Sequence, residues 1–483
     1  MLHEPARSTP VLGEYDVVVL GGGPAGIASA ASAARNGAKT LLVERYGFLG
    51  GMGTAAGVTN FCGLHANVHG EIRQVVHGVA DDLLDRIRAL DGLSDPHVVL
   101  GRIAAQAYDM SAYKCAADQL LGAARVELLF HALAVGVSKT DSGRIDALIV
   151  ETKSGRQAVR GRMFIDCSGD GDLAHHAGVA MDKGDDDGHL LYPTLMFRVG
   201  NIDATRAGDA WRTIPQLMDD ASQSGDYTFP RRGAIVRPMK RAYEWRVNVT
   251  QMKNPDGSAV DGTDALSLSN GEIEGRRQIV DYLRFLRERV PGFEHAYALD
   301  IAPQLGIRET RRLVAEVMLT GDDVVGCANF DDAIGVNGWP LEKHVAGDVL
   351  WGWFPEGSRG YNQIPYRMLL PRRDEHASRV HDTGHDTARG IDRVDSDRGD
   401  GHHGGARVDN LLVAGRCAGM THDGQSAARV SGGCFVMGQA AGTAAAMSLA
   451  NGVSPYNTDV RALQARLSAQ GAFLAEPEGR QTS

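Results

Sequence analysis

Two short apolar runs near the amino terminus have the pattern of buried parallel strands. The first, YDVVVL at residues 15–20, leads directly into GGGPAG, and the second, AKTLLVE, ends at Glu44. Unbroken β-branched and apolar runs of this length are typical of strands that are covered on both faces. The Ala-rich segment AGIASAASAARNG between them is typical of a helix that packs closely on such strands. The pattern therefore predicts a βαβ unit.

Further along, the pattern changes several times. VELLFHALAVGVSK, RIDALIVETKSG and RQAVRGRMFIDCSGDGD predict three strands separated by turns, and NLLVAG predicts another buried strand. The periodic apolar positions of EIRQVVHGVADDLLDRIRAL predict that residues 54–125 are mostly helical. APQLGIRETRRLVAEVML predicts a charged turn that enters a helix. Its residues Arg308, Arg311 and Arg312 could face either the site or solvent, and a solvent-facing position is favoured.

These patterns divide the chain into four parts. Residues 1–187 and 407–483 are expected to form an α/β domain with a parallel sheet and a three-stranded β insert, the carboxy-terminal part ending in helices. Residues 188–370 are richer in aromatic residues and Arg, and we expect them to form an α+β substrate domain. Apolar residues almost vanish at 371–406, which predicts a disordered charged insertion. The histidines of that segment have no rigid spacing, so we predict no metal site.

Composition narrows the range of partners. The chain has 483 residues, 43% of them hydrophobic, and a net charge of -10. A negative protein repels nucleic acids and anionic membranes, so a small-molecule substrate is expected. No apolar signal core occurs at the amino terminus, and CFVMGQAAGTAAAMSLA is Ala/Gly-rich, which favours a buried helix over a membrane span. Scattered cysteines without a C-x-x-C pair favour the cytoplasm.

The glycines after the first strand have the spacing G-x-G-x-x-G, which is typical of a dinucleotide site in this context. Gly21 permits a tight turn, Gly23 lets the backbone approach a pyrophosphate, and Gly26 allows close packing of helix on strand. The helix begins at Pro24 and Ala25, where free N–H groups and the positive end of the helix dipole face the phosphates. A turn without a ligand is the alternative, and the complete βαβ context disfavours it.

A second glycine pair follows at once, in ERYGFLGGMGT. Glu44 stands about twenty residues beyond the first glycines, where a carboxylate can hold ribose hydroxyls. A nicotinamide site would normally continue with another strand and helix, whereas a glycine-dense loop lets the backbone lie against a longer ligand. FAD is such a ligand, and we predict contacts to it from Arg45, Gly50, Gly51 and Met52.

The chain resembles a bacterial family of FAD-dependent oxidoreductases. Six motifs carry the resemblance, in order and over nearly the whole chain: GGGPAG, ER.GFLGGM, TLMFR, GIRETRR, IPYR and NLLVAGRC…H…R…GQAAGTAAA. A more distant similarity is to the flavoprotein subunit of fumarate reductases, which end in a similar His…Arg-x-x-Gly-Gly helix start. The resemblance implies a Rossmann-like FAD-binding domain of the glutathione-reductase class.

Two later segments are predicted to complete the cofactor site. In FIDCSGDGDLAHHAG, Gly169 permits close approach and Asp170 can accept hydrogen bonds, although both residues also suit a simple turn. In NLLVAGRC, Gly415 and Arg416 follow a strand. Arg416 stands where the broader flavoprotein class often has an acidic residue near the ribityl chain.

The candidate catalytic residues precede the last long helix. Gly432 and Gly433 would let the free N–H groups of its first turn reach the pyrimidine edge of a flavin. His422 could act as a general acid or base, and Arg429 could hold a substrate carboxylate or a developing oxyanion. A loop histidine and a capping arginine are the structural alternatives, and the family pattern favours the functional interpretation.

The expected activity is transfer of hydride from a C–H bond of a small polar substrate to FAD. No second G-x-G-x-x-G follows a strand, so electrons are expected to pass to oxygen or another external acceptor rather than to a bound nicotinamide. The alternatives are a C–C bond dehydrogenase or ene-reductase of the fumarate-reductase type, a flavin monooxygenase, and a flavin-fold binding protein without activity. The intact glycine signature disfavours the last.

Overall fold

The computed structural model describes Leu2 and residues 6–373 and 408–475. Of the predicted insertion at 371–406, all but residues 371–373 lies outside the described residues. The helices are α1 (Pro24–Arg35), α2 (Met52–Ala55), α3 (Val79–Ala89), α4 (Met110–Ala123), α5 (Asp172–His176), α6 (Ala204–Ala207), α7 (Ala210–Gln223), α8 (Ala265–Arg289), α9 (Gly321–Val325), α10 (His422–Ala428), α11 (Ser431–Asn451) and α12 (Val460–Ala469). Short 3-10 helices span Tyr366–Leu369 and Pro455–Asn457.

The strands are β1 (Val11–Leu20), β2 (Thr40–Val43), β3 (Asn60–Cys62), β4 (His65–Val68), β5 (Glu71–Gln74), β6 (Leu93–Val99), β7 (Ile103–Tyr108), β8 (Glu127–Leu129), β9 (Leu133–Lys139), β10 (Ile145–Thr152), β11 (Gly155–Asp166), β12 (Met181–Asp182), β13 (Phe197–Gly200), β14 (Ile235–Pro238), β15 (Trp245–Asn248), β16 (Tyr297–Ile301), β17 (Arg312–Leu313), β18 (Ala333–Asn337), β19 (Leu341–Val345), β20 (Asp348–Gly352), β21 (Asn362–Pro365) and β22 (Leu411–Val413).

The largest sheet is built around β1. Its strand order is β8-β2-β1-β11-β10-β9, and β22 also pairs with β11. Strands β8, β2, β1, β11 and β22 run parallel, whereas β9, β10 and β11 run antiparallel. Strand β11 therefore belongs to both arrangements, because residues 155–160 pair with β10 and residues 164–166 pair with β22. The predicted α/β fold with a parallel sheet is confirmed.

Helices α1 and α11 pack together so closely that only glycine fits at two positions. A Cβ atom at Gly438 would lie 2.2 Å from the carbonyl oxygen of Ala25, and one at Gly442 would lie 2.1 Å from that of Ser29. The hydroxyl of Ser29 donates a hydrogen bond to the carbonyl of Gly438 at 3.0 Å. Among the described helices, α11 alone is long and apolar enough to cross a membrane, yet 83% of its apolar window is buried inside the protein. It is a core helix, as predicted.

A second, antiparallel sheet with the order β14-β15-β13-β16 has its own hydrophobic core. Helices α7 and α8 cover it, and the indole of Trp245 meets the ring of Phe293 edge-on at 5.2 Å between centroids. The sheet also contacts the loop that follows α2, because Arg246 in β15 donates a hydrogen bond to the carbonyl of Thr59.

Two predictions of local structure were wrong. Residues 54–125 are not mostly helical, because β3 to β7 occupy much of that range beside α3 and α4. Residues 313–319, directly after GIRETRR, are not helical either, and Arg308 and Arg312 are 8% and 1% exposed. The charges of that segment find buried partners, such as Glu309 for Arg312, and so they do not need a solvent-facing helix surface.

Candidate functional site

The turn after β1 places Gly21 and Gly26 where a larger residue would collide, and leaves Gly23 open. Gly21 has φ +99°, and a Cβ atom there would lie 2.4 Å from the carbonyl oxygen of Cys167. A Cβ at Gly26 would lie 1.7 Å from the carbonyl oxygen of Gly21. Gly23 is the N-cap of α1, with Pro24 as the first helical residue, so the free N–H groups of the first turn open beside it. This geometry leaves room for an anion at the helix N-terminus.

Glu44 follows β2 and lies beside that turn. Its side chain accepts hydrogen bonds from the backbone N–H of Gly22 at 2.6 Å and of Tyr46 at 2.9 Å. Burial raises the pKa of Glu44 above its ordinary value, more than these hydrogen bonds and the charge of Arg45 lower it. Two backbone donors fix the carboxylate at the cavity wall, and its remaining acceptor capacity is free for a ligand that enters the cavity.

The second glycine pair lies directly on the first. Gly50 has φ +110° and donates to the carbonyl of Gly22 at 2.8 Å. A Cβ atom at Gly51 would lie 2.7 Å from the Cα atom of Gly23, so only glycine allows the two loops this approach. Met52 then begins α2 and lines the same cavity. The reason for a second glycine pair is therefore contact between two backbones at the wall of one cavity.

Asp170 holds an arginine rather than facing the cavity. It lies 2.8 Å from Arg416 and 3.8 Å from Arg45, and it accepts a hydrogen bond from Thr310 at 2.9 Å. Burial alone would raise the pKa of Asp170, but Arg416 and Arg45 outweigh it and lower the pKa. Gly169, whose Cβ would lie 2.9 Å from the Arg416 guanidinium, lines the cavity with Arg416, whereas Asp170 does not. The unusual Arg416 thus has a carboxylate partner within the protein.

One cavity of about 560 Å³ joins these elements to the second sheet. It runs from the glycine turns past Cys62 and Trp339. The predicted residues that line it are Gly21, Gly23, Pro24, Ala25, Glu44, Arg45, Gly51, Met52, Gly169, Gly415, Arg416 and Arg429. Predicted residues outside its lining are Gly26, Gly50, Asp170, His422, Gly432 and Gly433.

The start of α11 reaches the cavity through residues other than the glycines singled out from the sequence. Val430, Ser431 and Cys434 line the cavity. A Cβ atom at Gly432 would lie 2.2 Å from the carbonyl oxygen of Gly63, and one at Gly433 would lie 2.3 Å from that of Ala428. The structure therefore gives both glycines a packing reason, and the approach of this helix start to a flavin stays a prediction.

His422 and Arg429 lie at opposite ends of α10 and have different surroundings. His422 is the first residue of the helix, and its Nδ1 is 2.9 Å from the carboxylate of Glu309, which is 0% exposed in its side chain. Arg429 is the C-cap and lines the cavity. Burial, together with the nearby charge of Arg416, lowers the pKa of Arg429 despite the carboxylate of Glu342. The two residues are thus not a pair, and of the two only Arg429 lines the cavity.

Glu342 places a charged carboxylate in the cavity wall. His344 donates to it at 3.1 Å and the indole N–H of Trp339 donates at 3.0 Å. Burial favours the neutral acid, but the hydrogen bond from His344 and the charges of Arg429 and Arg308 outweigh burial and lower the pKa of Glu342 to about 2. Burial lowers the pKa of His344 to about 3. At neutral pH an anionic Glu342 accepts from a neutral imidazole.

The cavity wall has further charged residues that were not among the predicted site residues. Arg231 and Arg246 line the cavity and are 4% and 6% exposed, and Arg308, expected to face solvent, lines it as well. A signal for Arg246 was present in EWRVNV, where an arginine interrupts an apolar strand pattern. Nothing comparable marks Arg231, since its position depends on how a loop packs on β15.

Comparison with known proteins gives a match to the family model described as FAD dependent oxidoreductase, over residues 16–377 and 405–467. Dihydrolipoyl dehydrogenase of Trypanosoma brucei brucei is 53% identical over 45 residues, which are 9% of this chain and 9% of that protein.

Similar solved structures have low identity. A geranylgeranyl bacteriochlorophyll reductase-like protein from Thermoplasma acidophilum is 13% identical, with 95% of this chain and 84% of that chain covered and a TM-score of 0.42. Anhydrotetracycline hydroxylase from Streptomyces rimosus is 12% identical, with 94% and 65% covered and a TM-score of 0.42. The family match, which covers most of the chain, is the comparison that bears on function.

Proposed function

Because this chain belongs to the family of FAD-dependent oxidoreductases and FAD is its cofactor, we propose that it oxidises a C–H bond of a small polar substrate. The electrons then pass to oxygen or to another external acceptor. The observation that carries the proposal is the single cavity, which extends from the glycine turns to Arg429 and the first turn of α11.

The residues present fit FAD at the glycine end of this cavity. A Cβ atom added at Gly23 would have the Cα atom of Gly51, at 3.6 Å, as its nearest neighbour, so the turn is open on the side that a pyrophosphate needs. Glu44 would hold the ribose hydroxyls, and the free N–H groups at the start of α1 would bind the phosphates. Bound there, FAD supplies a two-electron acceptor for hydride.

The protein's own residues would prepare the substrate for that transfer. Arg429 lines the cavity one residue before the N-cap of α11, so its guanidinium can orient a polar substrate group beside the helix start. The positive end of the α11 dipole favours negative charge that develops at the same place. Trp339, which is 3% exposed, excludes water from this end of the cavity.

His422 takes no part in the reaction at the substrate. Its Nδ1 is held by Glu309, and its side chain does not line the cavity. We propose instead that the pair of Glu309 and His422 fixes the start of α10, and so the position of Arg429 at the other end of that helix.

Anaerobic mixing of the purified holoenzyme with metabolite pools tests the function. We expect one pool to bleach the oxidised flavin absorbance, and oxygen or a dye acceptor to restore it. Arg429→Lys should retain FAD but slow the bleaching. Oxygen uptake driven by NAD(P)H, without bleaching by any C–H donor alone, would contradict the proposal and favour a monooxygenase.

A second candidate is the reverse chemistry, reduction of a C–C double bond by an ene-reductase. Arg429 and Arg308 favour it, because two guanidinium groups in one cavity suit a carboxylate that is conjugated to the double bond. Enzyme reduced with dithionite distinguishes the two, since only an ene-reductase would be reoxidised anaerobically by an unsaturated acid.

A further inference from the structure

Four of the arginines that line the cavity combine a buried guanidinium group with the lack of an ion pair among the described residues. Arg231, Arg246, Arg308 and Arg429 form no ion pair with an Asp or Glu side chain anywhere in residues 6–373 and 408–475. Arg416 is different, because Asp170 lies 2.8 Å from it. The cavity lining holds eight arginines but only three acidic residues, Glu44, Glu342 and Asp348, so even with the anionic Glu342 beside Arg308 and Arg429 its wall has an excess of positive charge.

The unpaired arginines also retain unused hydrogen-bond donors. The Nε atoms of Arg246 and Arg429 are buried and have no hydrogen-bond partner among the described residues. Within the part of the chain that the structure describes, the side chain of Arg308 donates only to the carbonyl of Tyr192 and the hydroxyl of Thr194, which are neutral groups. Buried cations and buried N–H donors without partners are costly, so such a wall is favourable only when an anion binds to it.

Three of the four charges gather around one point. Burial raises the pKa of the Cys62 thiol to about 12 and the charge of Glu342 adds to the rise, whereas the charges of Arg246, Arg429 and Arg308 each act against it. All three guanidinium groups thus lie within electrostatic reach of Cys62. The cations beside the glycine turns are instead Arg45 and Arg416, so the predicted pyrophosphate position has cations of its own.

Next to these arginines the cavity wall is aromatic, and the cavity continues from there towards solvent. The rings of Trp339 and Trp351 have centroids 6.3 Å apart, and both residues line the cavity. Leu100 also lines the cavity but is 59% exposed, so it marks the mouth. An apolar ligand body can therefore extend from the buried arginines past the two indoles towards solvent.

We propose that the substrate is an amphipathic organic carboxylate. Its carboxylate binds to Arg246, Arg308 and Arg429, and its apolar body lies along Trp339 and Trp351. This inference rests on the proposed function, which places the substrate in the same cavity as FAD. It adds the chemical class that this cavity selects.

Binding to the oxidised holoenzyme tests the class without turnover. The probes are phenylacetate, phenylacetamide and acetate, each titrated while the flavin difference spectrum and the tryptophan fluorescence are recorded. We expect saturable binding of phenylacetate, binding of phenylacetamide weaker by about 100-fold, and binding of acetate weaker by about 10-fold or more. Equal affinity for the acid and its amide would overturn the proposal.

Variants locate the carboxylate. Arg246→Met and Arg246→Gln should weaken phenylacetate binding by about 10- to 100-fold and leave FAD content unchanged. Neither should lower the melting temperature of the ligand-free holoenzyme, because each removes a buried charge that lacks a partner. Arg232→Met is the matched control, since Arg232 lines the cavity but is exposed. Loss of FAD in the Arg246 variants would show that this arginine serves the cofactor and would overturn the proposal.

The two proposals fail in different ways. Selective carboxylate binding, with no bleaching of the flavin by any donor, would refute the proposed oxidation and leave the carboxylate site standing. Bleaching by a neutral substrate, with no preference for acids over amides and no effect of Arg246→Gln, would refute the carboxylate site and leave the oxidation standing.

Discussion

Gly23 and Gly26 belong to one turn, yet their surroundings predict opposite effects of a single added methyl group. In Gly26→Ala, the Cβ atom would lie 1.7 Å from the carbonyl oxygen of Gly21. In Gly23→Ala, the nearest neighbour would be the Cα atom of Gly51 at 3.6 Å, and the backbone of Gly23 is extended with φ -74°. The first substitution should damage the fold, and the second should affect only what binds against the turn.

The magnitudes follow from these distances. Ordinary contact begins near 3.4 Å, so α1 and the end of β1 would have to separate by about 1.7 Å to accept Ala at position 26. Overpacking costs about 1–3 kcal/mol, and rigid backbone on both sides places Gly26→Ala at about 3 kcal/mol or above. Gly23→Ala should change the stability of the apoprotein by less than about 0.5 kcal/mol. It should weaken FAD binding by about 2 kcal/mol, or about 30-fold in Kd.

The assay measures the two effects separately. Thermal unfolding of each apoprotein reports the fold, and titration with FAD, followed by quenching of flavin fluorescence, reports the cofactor site. Gly122→Ala is the control, because a Cβ there meets nothing within 4 Å and the residue lies in α4. A Gly23→Ala protein that binds FAD with the wild-type Kd would refute the placement of the cofactor, and an unchanged melting temperature for Gly26→Ala would refute the packing argument.

His422→Ala should lower the melting temperature, because the buried carboxylate of Glu309 loses a partner, and it should barely change the rate of flavin reduction. Slow flavin reduction at an unchanged melting temperature would instead support proton transfer by His422. Burial lowers the pKa of His344 from 6.5 to about 3, so the unfolded chain takes up a proton that the folded chain does not, and stability should fall as the pH is lowered from 6.5 towards 3. In urea unfolding, His344→Gln should flatten the dependence of stability on pH. His189→Gln, at a side chain that is 73% exposed, should leave it unchanged. If stability depends on pH equally in wild type and in His344→Gln, the lowered pKa of His344 is contradicted. Glu44→Ala should weaken FAD binding by about 2 kcal/mol in the same titration as above, and an unchanged Kd would argue against its contact with the ribose.

Steric rules that act within a few residues were sufficient to predict the glycine turns of the candidate site. Gly21, Gly26 and Gly51 are required by backbone conformation and by contacts below 3 Å, and their spacing in the sequence already specifies a strand, a turn and a helix. The buried helix α11 could be predicted from the sequence equally well, because a run of small and apolar residues without charge has a favourable environment only among other buried helices. The family motifs added FAD to this picture, and the family match confirmed it.

The helical prediction for residues 54–125 failed for a physical reason. The periodic apolar positions of α3 dominate the segment. Strands β6 and β7 form a short hairpin, and β3 is stabilised by pairing with β7, which lies far along the chain. Strand pairing of this kind depends on partners that are distant in sequence, so neighbouring residues carry little trace of it. The same limit applies to Arg308, whose burial is decided by Tyr192 and Thr194.

The sequence by itself thus determined the parallel sheet, the glycine turns and the buried helix, because each depends on sterics and periodicity within a few residues. Only the tertiary structure decided which charges face the ligand. It paired His422 with Glu309 away from the cavity, and it gathered Arg246 and Arg429 from separate elements around one buried point. The energy of a buried charge depends on every group within several ångströms, and those groups come from parts of the chain that only the fold brings together.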